Sequence, residues 1–273
     1  MGKRLLQGHA LLVYLFLYAP IAVVVVLAFN GGRQVLFWEG FSTRWFGIAL
    51  RNPVIRDALE NSLLVASLNA VIACALGTLL ALALSRMRAF VRVPIDALAY
   101  MTLVTPEIVF GISALIFFVE SASLVGIDSP LSVWTILVAH VVFNASVVAL
   151  IVRARFVGMG QTLEEASYDL GAGPVKTFLQ VTLPRLAPAI LAGGLLAFTF
   201  SFDDFYTSFF VAGPGSETLP LYIFGQVRFG VSPEINATAT MMLGLTLVAI
   251  VIAYLVLRRT EQGRRAAAAL PGV

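Results

Sequence analysis

The sequence predicts an all-α integral membrane protein with six transmembrane helices, and three observations carry that expectation. Of its 273 residues, 59% are hydrophobic and only 12% charged, against roughly 25% charged in soluble domains. The apolar residues collect into six runs, each able to cross a hydrocarbon core about 30 Å thick, which takes about 20 helical residues. Basic residues gather on alternate connections between the runs. A bilayer leaves backbone groups no water to bond, so each run must close its hydrogen bonds as a helix. This composition excludes an ordinary cytosolic enzyme.

The first run, His9 to Phe29, reads as a retained span. Tyr18-Ala19-Pro20 and the run Val23 to Val26 give it full length without a small-residue cleavage site. Residues 31–61 mix Trp38, Trp45 and Phe46 with charges, as an interfacial segment would. The second span, Ser62 to Leu84, carries Ala73, Gly77 and Ala81 at a spacing that lets helices pack closely. The single cysteine, Cys74, lies in the same run and excludes an internal disulfide. A third span, Ile95 to Val119, holds Glu107 near its middle beside Pro106, which bends the backbone or frees a carbonyl there. The fourth, Leu131 to Val152, contains His140. With only His9 as a second histidine there is no metal-ligand constellation, and His140 reads as a hydrogen-bonded residue within the membrane. The fifth, Leu186 to Val211, holds Gly193-Gly194 and the pair Asp203-Asp204. The sixth runs from Asn236 to Leu257. Residues 213–235 form an outer loop in which Leu219 to Phe229 is a short helix. No paired inverted repeat or broken helix is read in these runs.

Orientation follows from charge. Thirteen of the eighteen basic residues fall on one side: Lys3, Arg4, Arg86, Arg88, Arg92, Arg153, Arg155, Lys176, Arg185, Arg258, Arg259, Arg264 and Arg265. The other side holds Arg33, Arg44, Arg51, Arg56 and Arg228. The positive-inside rule puts both termini and the connection around Glu165 in the cytoplasm. The net charge of +3 reflects this topology, and no nucleic-acid partner is implied.

That cytoplasmic connection, residues 160–188, is a polar, helix-forming island. Thr162 can cap a helix whose first turn holds Glu164 and Glu165, where carboxylates offset the positive end of the dipole. Leu163, Ala166 and Leu170 repeat at helical spacing. Gly171 and Gly173 then let the chain turn out of the helix. Pro174 starts a second short helix over Val175 to Val181, which Leu183-Pro184 is expected to end before the next span. The stretch Gly171 to Thr177 is not a Walker A loop: no glycine adjoins Lys176, and Pro174 removes an amide that could cradle phosphate. Any ATP must be used by another polypeptide.

The island resembles the EAA loop of inner-membrane permeases from binding-protein-dependent ABC importers. The pattern Glu-Ala-Ala, three residues, Gly, nine residues, Ile, one residue, Leu-Pro is met by Glu165-Ala166-Ser167, Gly171, Val181 and Leu183-Pro184, with serine for alanine and valine for isoleucine. Resemblance extends over nearly the whole chain to permeases of spermidine/putrescine importers. It runs through Tyr18-Ala19-Pro20, Phe29-Asn30, residues 41–45, the stretch 198–204 (FTFSFDD), residues 210–215, Thr218-Leu219-Pro220 and residues 227–237. It implies one permease domain over 1–273 with the type I importer (MetI-like) fold, both termini inside, in the bacterial inner membrane. Implied partners are a second, different permease subunit, two ABC ATPase subunits that bind ATP and Mg, and a periplasmic or extracellular substrate-binding protein that meets residues 213–235. Closing of the ATPases would move the membrane helices through Glu164, Glu165, Ala166, Asp169, Gly171, Leu183 and Pro184. The chain itself would hold no cofactor, bind no metal and catalyse no reaction.

The residues point independently to a cationic substrate. Each buried carboxylate costs about 2.5–3.5 kcal/mol on insertion scales, so Glu107, Asp203 and Asp204 should face a pathway or a partner. No basic residue lies at comparable depth. A passing di- or tri-cation would supply that charge, with Phe202, Tyr206 and Trp134 adding aromatic faces. Adjacent helical residues point about 100° apart, so only one of Asp203 and Asp204 can face a shared path. Polyamine import is the resulting expectation. Another solute, such as an iron complex or other organic cation, remains as an alternative within the same class, and an ATPase-independent secondary transporter as one outside it.

Overall fold

A computed structural model of the chain describes residues 2–35, 37–128, 130–160 and 162–268, with side chains left out at residues 2–4, 253 and 256–268. The basic side chains Lys3, Arg4, Arg258, Arg259, Arg264 and Arg265 counted above lie outside the described ones. The regular structure among the described residues is helical apart from one isolated bridge, Asn30 to Phe41. Six helices are long and apolar enough to cross a membrane, namely Leu5–Ala28, Pro53–Arg86, Glu107–Leu124, Val133–Val157, Pro174–Phe202 and Pro233–Ile252.

Two compact units divide the chain. The first comprises residues up to Glu60 together with Thr218–Thr246. Its helices are α1 (Gly2–Ala28), α2 (Arg44–Arg51), the start of α3 (Pro53–Arg86), α11 (Leu219–Val227) and the start of α12 (Pro233–Ala268). Ala49, Ile55, Ala58, Leu219 and Tyr222 form its core, with Met241 and Met242 packed against them. Asn30, fully buried, folds the segment after α1 by using its whole amide. Its Nδ2 donates to the carbonyls of Gln34 and Phe37 at 3.0 and 2.7 Å, and its Oδ1 accepts from the amides of Glu39 and Gly32 at 2.9 and 3.3 Å. Asn52 Nδ2 donates to Glu234 Oε1 at 2.9 Å and ties α12 to the start of α3. The expected outer helix within Leu219 to Phe229 is α11.

The second unit takes Asn61–Glu217 and the chain from Leu247 onward. It holds the rest of α3 with α4 (Ala89–Val104), α5 (Glu107–Leu124), α6 (Val133–Val157), α7 (Thr162–Asp169), α8 (Pro174–Thr177), α9 (Leu183–Phe202) and α10 (Tyr206–Val211). Here α6 is the central helix, burying 61% of its apolar window where α1, in the other unit, buries none. Small residues make the close contacts that their spacing predicted. A Cβ on Gly77 would stand 2.7 Å from the Ala145 carbonyl oxygen and from Val148 Cβ, so α3 lies directly against α6. Gly193 of α9 faces the same Val148, and Gly194 faces Cys74.

Three sequence expectations are corrected. The third run is not one span: the chain breaks at Thr105-Pro106, separating α4 from α5. Thr105 is extended (ψ 127°), as a residue before proline tends to be, and Pro106 has no amide to continue the ladder. The fifth run also breaks, between Phe202 and Tyr206, so the spans do include broken helices. Leu183-Pro184, in contrast, ends nothing. Residues Phe178–Thr182 form a π turn, with Leu183 N bonded to Phe178 O, and the helix runs on into α9. The wider turn accommodates Pro184 without closing the helix.

Candidate functional site

Two places in the second unit gather the polar residues. The first is the elbow before α9. Helix α7 ends in a Schellman motif: Ala172 N donates to Ser167 O at 3.0 Å and Gly171 N to Tyr168 O at 2.8 Å, with Gly171 at φ +81°. Two side-chain bonds fold α7 back on the following turn, Ser167 Oγ to Thr177 Oγ1 at 2.9 Å and Thr182 Oγ1 to the Glu164 carboxylate. Thr177 and Thr182 are both buried. Glu164 therefore faces inward, whereas Glu165, Ala166, Asp169 and Gly171 are exposed. Leu170 is 89% exposed and Val175 70%, with Leu163, Tyr168 and Leu179 also open. Leu183 is half-buried and Pro184 exposed, both on the continuous helix.

The second place is a cavity of about 310 Å³ where the two helix breaks meet α6. Glu107 opens α5 and Asp203 follows α9; both are exposed, and both line it. Asp204 lines it as well, against the expectation that only one of the pair could, because the break takes both out of helical register; its carboxylate is bonded from several sides. Asp204 Oδ2 accepts from Ser208 N and Ser208 Oγ, each at 2.8 Å, and from His140 Nε2 at 3.1 Å, while its Oδ1 accepts from Thr207 N at 3.3 Å. A carboxylate only accepts, so His140 carries a proton on Nε2, and its Nδ1 is hydrogen-bonded with Ser201 Oγ at 2.7 Å. These bonds draw the chain out of the α9 ladder and start α10, which is the physical cause of the fifth run's break. His140, Ser201 and Ser208 are buried.

Tyr206, Phe205 and Phe200 line the same cavity. Phe202 does not; it is buried and stacked on Phe198 at 5.7 Å. Trp134, 59% exposed at the start of α6, is not in the lining either. Sequence reading gave no bonding role to Ser201, Ser208, Asn144 or Phe143 around this cavity, nor to Ser167, Thr177 and Thr182 in the elbow. A polar residue one helical turn from His140 in an apolar run would have pointed to Asn144. Single hydroxyls carry no such mark.

The model of the family described as binding-protein-dependent transport system inner membrane component matches residues 73–266. The chain belongs to that family. As a permease it is 41% identical to the putrescine transport system permease protein PotI of Escherichia coli K12, over 93% of this chain and 91% of the relative. It is 36% identical to the spermidine/putrescine transport system permease protein PotC of the same strain, over 96% and 97%. Among solved structures, a bacterial ABC transporter involved in the import of the acidic polysaccharide alginate superposes with a TM-score of 0.72 at 17% identity, covering 95% of this permease and 96% of that chain. An inward-facing MetNI methionine ABC transporter superposes at 0.62 and 15% identity, covering 74% and 94%. These likenesses show the ABC importer permease fold.

Proposed function

We propose that this permease is one of two in an ATP-driven importer of polyamines, putrescine or spermidine, across the bacterial inner membrane. The observation that carries the reading is the cavity: two exposed carboxylates from two helix breaks share a wall with aromatic side chains, a setting that attracts an organic cation and repels an anion. The names of the 41% and 36% identical relatives support the same substrate class.

The elbow is the docking surface for an ATPase subunit. Glu165, Ala166, Asp169, Gly171 and the exposed Leu170 and Val175 face the partner, Glu164 holds the elbow's shape through Thr182, and Leu183-Pro184 carry the movement into α9. ATP and Mg are bound by two such ATPases, and this chain needs no cofactor of its own. A second permease completes the membrane part, with α1 reaching over it. A binding protein outside delivers substrate to the loop 213–235. Nucleotide-driven closure turns the cavity outward and hydrolysis returns it inward.

The test is uptake of labelled putrescine, spermidine and an unrelated cation into vesicles holding the complete complex. A charge-assisted hydrogen bond contributes about 1.5–3 kcal/mol, so Asp203→Asn or Glu107→Gln is expected to lower polyamine flux about tenfold or more. Unchanged flux in both variants would take the cavity out of the path. Transport of the unrelated cation alone would replace the substrate.

A further inference from the structure

We infer that Asn144 supplies an uncharged acceptor for a primary ammonium group in the cavity, so that it contributes to substrate recognition alongside Glu107 and Asp203. This rests on the cation-path reading and deepens it. The orientation of the Asn144 amide is fixed by a chain of bonds running away from the cavity. The Ala197 carbonyl can only accept, so Asn69, which meets it at 2.8 Å, must turn its Nδ2 that way. Its Oδ1 is then left to accept, and Asn144 turns its Nδ2 toward it at 3.4 Å. The Oδ1 of Asn144 is thereby directed elsewhere. It is buried, and among the described residues no group donates to it. Asn144 itself is 2% exposed and lines the cavity, one turn along α6 from His140. A buried carbonyl without a donor is costly in an apolar surrounding, and a ligand bearing N–H groups removes that cost.

The stoichiometry of donors agrees. A primary ammonium has three N–H groups to place. Asp204 already takes four donors from Ser208, His140 and Thr207 and has little to offer a fifth. Glu107 and Asp203 bring the charge, and Asn144, itself a lining residue, adds a carbonyl acceptor that no described donor has taken.

Uptake of labelled putrescine by the reconstituted complete complex, expressed per assembled complex, tests the assignment. Asn144→Leu keeps the volume and removes the acceptor, with Asn144→Ala as the substitute should the leucine variant fail to assemble. The expected loss is about tenfold, the size of one hydrogen bond to a charged donor. A structural role through Asn69 is separated by measuring uptake of a putrescine analogue whose terminal nitrogens are fully methylated and carry no N–H: a recognition role predicts that Asn144→Leu lowers putrescine flux and leaves flux of the analogue unchanged. Wild-type putrescine flux in Asn144→Leu, or an equal loss for the analogue, overturns the assignment while leaving the cation path standing. Failure of the unsubstituted complex to take up putrescine overturns both.

Discussion

Asp203 and Asp204 are adjacent acids in one polar break, and their surroundings give them opposite jobs. Asp204 is spent on His140, Ser208 and Thr207, while Asp203 faces the cavity. Asp204→Asn removes a charged acceptor from buried donors, which costs about 1–3 kcal/mol or more. It is expected to lower the thermal unfolding midpoint of the purified permease complex. Asp203→Asn, on an exposed residue, is expected to leave that midpoint within a degree or two and to act on flux instead. A common stability loss in the two variants would contradict this division. Helical geometry would keep the pair from sharing a path, but both lie in the break between Phe202 and Tyr206 and both line the cavity, so that expectation does not hold. That Asp204 would bond His140 and Ser208 was not legible, because a hydroxyl such as that of Ser208 looks the same in sequence whether it bonds a neighbour or its own helix.

Among the elements, proline was easy to see and hard to interpret. Pro106 and Pro184 both stand where a helix could stop, yet the chain breaks at one and passes through the other by a π turn. The difference lies in what surrounds each: Thr177 and Thr182 anchor the turn before Pro184 to α7, and the residues before Pro106 have no such anchor among the bonds described. Gly171 was legible because its positive φ is nearly closed to other residues. Gly171→Leu forces a side chain into that conformation at about 1–2 kcal/mol, and less ATPase is expected to co-purify with the permease. Recovery of the wild-type ratio would remove the elbow from the docking surface. The packing glycines behave differently. Gly77→Leu drives a side chain into the Ala145 carbonyl and Val148, and overpacking of this kind costs about 1–3 kcal/mol, so a reduced yield of folded protein on size-exclusion chromatography is expected.

For the whole molecule, the number and order of spans were plain from apolar content, since six runs of sufficient length leave little choice in a bilayer. The faces those spans bury were not: α6 is apolar on every side, and only the small residues at Gly77, Gly193 and Gly194 hinted at its neighbours. Topology has a direct check within the second unit. Span five separates Lys176 from Glu217, so cysteines placed singly at these positions, with Cys74 replaced by alanine, should react with a membrane-impermeant maleimide from opposite sides. The positive-inside rule assigns position 176 to the cytoplasm. Labelling of both from outside intact cells would refute the arrangement.

The uninterrupted run from Pro174 to Phe202 gives the elbow mechanical reach. Twenty-nine residues at about 1.5 Å each make a rod about 43 Å long, whose base is the elbow and whose tip is followed at once by Asp203. A swing of about 10° at the base carries the tip about 7 Å, further than one helical turn. Turned as one body through the π turn and Pro188, the run would deliver an angular push at its base to the acid as a displacement wider than an ammonium group.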